Sequence, residues 1–252
     1  MNNMDLIAQW KEEEKIAYIH GWDFSHIDGR CLEETDFPWE YRQRIKQYLT
    51  PGSKLLDLDT GGGEFLLSLG HPHENTAATE GYPPNVVLCQ KELLPLGIDF
   101  RAADANGVFP FPDESFDVVI NRHGDLNPKE IFRVLKKGGV FITQQVGADN
   151  DREFVKLLCG DVPRPFPEAR CAISREKFQQ AGFEIVEADE CFREMRFLDV
   201  GALVWFARIL PWEFPDFSVD GNLERLLQVQ NLLEAEGCIK GSTHRYLLIA
   251  KK

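Results

Sequence analysis

An apolar run ending in a carboxylate opens into three glycines at Leu55-Leu56-Asp57-Leu58-Asp59-Thr60-Gly61-Gly62-Gly63-Glu64. Glycines let a backbone pass close beneath a ligand, and a helix that starts there offers free N–H groups with a partial positive charge. Such a loop cradles a nucleotide or a carboxylate, although a strand-to-helix turn with no ligand gives the same pattern. Glu80 closes the next apolar run, nineteen residues after Gly61. A carboxylate at that place accepts from the hydroxyls of a ribose. The dinucleotide fingerprint needs a further glycine where this chain has Leu66, so a nicotinamide-dependent oxidoreductase is disfavoured.

Other residues with chemical capacity are sparser. His123 follows Asn121-Arg122 at the end of an apolar run, and an imidazole with an ordinary pKa of about 6.5 can take a proton from a reacting group. A structural histidine at a strand end is the competing reading. Gln144-Gln145 ends another run and is a candidate for reaching a substrate. His71-Pro72-His73-Glu74 lies in a turn without metal-ligand spacing, and no metal site is expected. The six cysteines are scattered without a C-x-x-C pair and read as buried or incidental thiols.

These groups need a frame. From Lys54 the chain alternates short apolar runs (54–58, 76–80, 98–102, 116–121 and 139–146) with helical patterns at 64–69, 84–94 and 128–135. A helix ending at Ala181-Gly182, a strand from Phe183 to Arg196 and a last strand at 245–249 complete the series. Strands alternating with helices imply a doubly wound, mostly parallel, seven-stranded Rossmann-like α/β sheet with helices on both faces. Ligands of such a sheet bind at the carboxyl ends of its strands. Residues 1–50 form a helical preface, with an amphipathic helix over 4–20 ending near Gly21 and a second from Pro38 to Leu49. Residues 51–252 form the main domain, interrupted at about 197–237 by an aromatic-rich insertion. The stretches around Trp22-Asp23-Phe24, Val204-Trp205-Phe206 and Trp212 to Phe217 either cap an acceptor site or fill a satellite core.

In their order, Asp57 to Gly63, Glu80-Gly81, Ala103-Asp104-Ala105, Phe116-Asp117-Val118-Val119 and Leu135-Lys136-Lys137-Gly138-Gly139 resemble the motifs of class I S-adenosylmethionine-dependent methyltransferases, particularly the type 11 group. The similarity covers roughly 54–147. It implies that Gly61 and Gly63 pass beneath the methionine part of S-adenosylmethionine, Asp57 orders the loop and Glu80 binds the ribose. It implies further that Asp104 and Ala105 meet the adenine ring, and that Asn121 and Arg122 lie under the sulfonium. Gly81-Tyr82 and Val108-Phe109 are candidates to pack the adenine faces. Asp59 stands where the family has its first loop glycine; its carboxylate either pairs with the ligand's ammonium or opposes the nearby methionine carboxylate and weakens binding, and aspartate tolerates a positive φ better than a branched residue.

A formal net charge of −13 opposes a polyanionic partner. The basic group Arg42, Arg44 and Lys46 is expected to be a solvated helix face. The longest apolar stretch, 200–211, is shorter than the ~20 residues of a membrane span. The polar, acidic start of the chain is unlike a signal peptide. The expectation is a cytoplasmic methyltransferase acting on a small molecule. A non-catalytic S-adenosylmethionine-binding module, which Asp59 favours, and an RNA methyltransferase stay open.

Overall fold

The structure, a computed structural model, describes residues 3–19 and 23–252. In chain order its main elements are α1 (Asn3–Ile16), β1 (Cys31–Glu33), α2 (Tyr41–Lys46), β2 (Leu55–Leu58), α3 (Glu64–Ser68), β3 (Thr76–Glu80), α4 (Pro83–Glu92), β4 (Asp99–Ala102), β5 (Phe116–Arg122) and α5 (Pro128–Val134). There follow β6 (Leu135–Val146), α6 (Arg152–Cys159), α7 (Cys171–Gln180), β7 (Glu184–Phe197), α8 (Val200–Ile209), α9 (Leu223–Glu236) and β8 (Ile239–Lys251). The strands are hydrogen-bonded in the order β1-β7-β8-β6-β5-β2-β3-β4. The sheet therefore has eight strands where seven are expected. The extra one, β1, pairs antiparallel with the end of β7 over three residues, too short to leave an alternating pattern in the sequence.

The chain divides into two compact units. One comprises 38–147, 168–191 and 245–252. Within it β2, β3, β4, β5 and β6 pair in parallel, and the C-terminal part of β8 runs antiparallel to β6. The order reverses direction between β2 and β5: from β2 the chain winds outward through β3 to β4, and from β5 to β6. That switch point is where a doubly wound sheet opens a crevice for ligands. Leu56, Leu58, Val119, Ile131, Val134, Phe141 and Phe178 are among the buried residues of the core beneath it. The basic group on α2 is partly engaged: Arg44 pairs with Glu187 at 3.0 Å, and Arg42 donates to the carbonyl of Ser68 and lies over Phe65.

The other unit gathers described residues up to Phe37 with 148–167 and 192–244. Its core joins Trp10, Phe154, Phe197, Trp205, Phe206, Phe214 and Phe217. Every residue of α8 except Arg208 is buried, and Asp199 caps the helix by accepting from the amide of Ala202 at 2.8 Å. Most aromatic residues of the 197–237 segment thus serve this core, while Trp212 is 42% exposed. Gly21 and Trp22 lie outside the described residues. Among those described, no helix is long and apolar enough to cross a membrane.

Candidate active site at the β2/β5 switch point

The glycine-rich loop leaves β2 in a conformation its sequence permits. Asp59 has φ 51°, Gly61 66° and Gly63 87°. At Gly63, the N-cap of α3, a Cβ would come within 2.8 Å of the Leu93 side chain. Asp59 in the left-handed region fits the expectation for an aspartate there, since its short polar side chain lowers the cost of positive φ.

Hydrogen bonds hold the loop to the neighbouring strand end. The Gly61 amide donates to Oε2 of Glu80 at 2.8 Å, and the amides of Gly81 and Tyr82 donate to Oε1 at 2.9 and 2.8 Å. The Asn85 side-chain amide is a fourth, longer donor to Oε2 at 3.5 Å, so a ligand hydroxyl would share or displace that contact. The Thr60 hydroxyl donates to Asp57 at 2.7 Å and the Thr60 amide to the Thr79 carbonyl at 3.0 Å. Cys89, on α4, donates to the Gly61 carbonyl. Asp57 thereby orders the loop through Thr60, a residue the motif alone does not single out.

Several carboxylates share this corner. Burial pushes the carboxyl of Asp57 up from 3.8 to about 7; Asp59 and Glu80 add to the rise, while the Thr60 hydroxyl and Arg122 oppose it. Asp59 also rises to about 7, first by burial and then through Glu80, Asp125 and Asp104, with the Asp125 amide donating to it in opposition. Crowded carboxylates that resist ionisation form a region that favours a cation.

At the end of β4, Asp104 is exposed and accepts from the Asn106 amide at 2.9 Å, while Ala105 is buried. A Cβ on Gly81 would approach the Asp104 Cα to 3.2 Å, so glycine lets the two strand ends come together. Tyr82 is 62% exposed and Val108 79%, whereas Phe109 is buried in the core and offers no face to a ligand. Asn106 donates to Asp125 at 2.6 Å, linking the β4 and β5 loops.

At the end of β5 the expected residues divide. Asn121 is fully buried; its Nδ2 donates to the Leu58 carbonyl at 3.0 Å and its Oδ1 accepts from Gln145 at 2.6 Å. The Tyr41 hydroxyl donates to its carbonyl at 2.8 Å. Asn121 therefore braces β2 against β5 and β6. Arg122 is exposed and lies over the Phe65 ring. His123 adopts φ 62°, a strained conformation of the sort that gathers at functional sites, and its amide donates to the Gln144 carbonyl. His123 is exposed to solvent, with the Arg122 and Arg245 side chains nearby. Desolvation, then the charges of Arg245 and Arg122, lower its pKa from 6.5 to about 3; water reaching the ring moderates the shift without reversing it.

Gly124 was not evident from the motif. A Cβ there would fall 2.6 Å from Asp59 Oδ2 and 2.7 Å from Asn121 Nδ2, so the loop after β5 closes directly on the carboxylate after β2. The histidines of the 71–74 turn bond to backbone instead of to each other: His71 to the Ser53 carbonyl and His73 to that of Leu96.

Comparison with known proteins bears on this geometry. A family model described as a methyltransferase domain matches residues 56–143, a segment that runs from β2 into β6 and includes Asp57, Asp59, Gly61, Glu80, Asp104, Asn121 and His123. The phthiotriol/phenolphthiotriol dimycocerosates methyltransferase of Mycobacterium leprae is 33% identical over 109 residues, covering 39% of this chain and 40% of that protein. The chain thus matches well under half the length of this curated relative. A solved Bacillus halodurans protein described as a methyltransferase superposes with TM-score 0.58 at 19% identity, over 84% of this chain and 98% of that one. The cyclase SpnF superposes with TM-score 0.51 at 18% identity, over 84% of this chain and 79% of its own. These structural likenesses establish the Rossmann-like fold, and a cyclase among them illustrates that the fold alone does not fix the reaction.

Proposed function

We propose that this chain, whose residues 56–143 belong to the methyltransferase domain family, transfers a methyl group from S-adenosylmethionine to a small-molecule acceptor. One observation carries the reading: the glycine loop after β2 is tied by Gly61 to the ribose-position carboxylate Glu80, beside Asp57, Asp59 and Asp104. That set of acceptors suits a ligand bearing an ammonium and a sulfonium together with a ribose. Gly61 and Gly63 give the methionine part its path, and Asp59 faces the ammonium. Glu80 takes a ribose hydroxyl in place of the long Asn85 contact, and Gly81 with Tyr82 flanks the sugar and ring. Asp104 and Ala105 meet the adenine edge. Asn121 acts by bracing the strand ends, with Arg122 beside it, and His123 touches the acceptor.

Bound S-adenosylmethionine supplies an electrophilic methyl carbon that an aligned nucleophile displaces from sulfur. The protein's part is to align, to exclude water and to stabilise the cation before transfer. Acceptor choice would be encoded outside the matched segment. A cytoplasmic location goes with this reading.

The test is thermal unfolding and titration calorimetry with S-adenosylmethionine, S-adenosylhomocysteine and NADH. A ligand at about 100 times its Kd stabilises by about 2.7 kcal/mol. Stabilisation by the first two and not by NADH is expected, followed by release of S-adenosylhomocysteine in an acceptor screen. Silence towards both adenosyl ligands would end the proposal. Asp59 supports one second reading, a module that binds the cofactor without transferring the methyl group; a methylated product excludes it.

A further inference from the structure

Three side chains distant in sequence form a line at the strand ends. Trp39 Nε1 donates to Gln144 Oε1 at 2.8 Å, and Gln144 Nε2 lies 3.5 Å from His123 Nε2. Trp39 and Gln144 are both buried. An indole N–H can only donate, so it fixes which end of the glutamine amide is oxygen. The amide nitrogen, a donor only, then faces His123. Hydrogen bonding there requires that Nε2 of the imidazole be the unprotonated nitrogen, which leaves the ring proton on Nδ1. Among the described residues Nδ1 makes no hydrogen bond.

From this chain of donors and acceptors we infer that Trp39 and Gln144 are positioning residues that hold His123 in its Nδ1–H tautomer, so that it offers an acceptor molecule a hydrogen-bond donor and not a base. The depressed pKa of the ring agrees, because a neutral imidazole is the form the arrangement needs. The strained backbone at His123, anchored by its amide to the carbonyl of the same Gln144, fixes the ring's base relative to the amide that orients it. The inference deepens the methyltransferase reading and rests on it for what Nδ1–H meets. The substrate class follows: the acceptor presents to His123 an oxygen with a lone pair to spare beside the one that attacks, as a carboxylate or an already ionised hydroxyl does. An alcohol that must lose its proton to this histidine is outside the class.

The test reads the tautomer itself. Ring-nitrogen NMR correlations of the full chain at neutral pH, with the His123 signals assigned by their loss in His123→Ala, should show a protonated Nδ1 and a bare Nε2. In Gln144→Glu, close in shape to the wild type, a carboxylate replaces the donor and the proton should move to Nε2. In Trp39→Phe the glutamine is released and the two tautomers should mix. A protonated Nε2 in the wild type, or a pattern that Gln144→Glu leaves unmoved, would overturn the inference. Because the tautomer is read without cofactor, a locked ring in a protein that ignores S-adenosylmethionine would defeat the methyltransferase reading alone.

Discussion

The amide of Gly61 and the carboxylate of Glu80 are joined at 2.8 Å across the gap between β2 and β3. Glu80 is 5% exposed and also receives the Gly81 and Tyr82 amides. Removing its carboxylate strands three backbone donors, each worth roughly 1–3 kcal/mol when left unsatisfied. Glu80→Ala should therefore lose about 2 kcal/mol or more of stability in denaturant unfolding and show no calorimetric response to S-adenosylmethionine. An unchanged midpoint would mean that water replaces the carboxylate without cost.

Burial pushes the carboxyls of Asp57 and Asp59 up from the ordinary 3.8 to about 7. Between those values the folded chain holds protons that the unfolded chain has released. Stability should fall as pH rises from about 4 to 7, the reverse of the usual salt-bridged carboxylate. Asp59→Asn, which tolerates the same positive φ, should flatten that decline while weakening S-adenosylmethionine binding above pH 7. Unfolding midpoints across the pH window check the first effect and calorimetry the second.

Gly124 has no room for a side chain beside Asp59. Gly124→Ala should displace the carboxylate and weaken cofactor binding, and Asp59→Gly in the same chain should cost little more, because the contact it removes is already lost. A double-mutant cycle reads the coupling, expected at about 1 kcal/mol or more for two residues in contact. Strict additivity would show that the alanine acts elsewhere.

Asn121 bonds Leu58 and Gln145 from a fully buried position. Asn121→Leu leaves the Leu58 carbonyl without its side-chain donor, and a loss of about 2 kcal/mol at constant m-value is expected. If stability is preserved but cofactor binding disappears, Asn121 touches the ligand directly instead of bracing the sheet.

Expectation and structure agree best where local chemistry is strong. The strand over Thr76–Glu80 has the bounds its apolar run implies, and α3 starts at Glu64 where the glycines end. They diverge where burial erases periodicity or tertiary pairing extends an element. α8 is apolar on nearly every face and lacks the stripe that marks a surface helix, so it read as an aromatic insertion. β6 begins at Leu135, at the end of an expected helix, because Leu135 pairs with Phe116 across an irregular register. β8 begins at Ile239, before the apolar run that marked it.

By itself the sequence determined the α/β frame, the glycine loop and the spacing of Asp57, Asp59, Glu80 and Asp104, because strand period, turn residues and strand-end carboxylates are local properties of the chain. Only the tertiary structure decided which of those groups are already engaged. Asn121 is taken up by Leu58 and Gln145, Gly124 closes on Asp59, and Trp39 reaches Gln144 across 105 residues. Hydrogen bonds between segments so far apart leave no periodic trace in the sequence; they exist only once the sheet has brought its strand ends together.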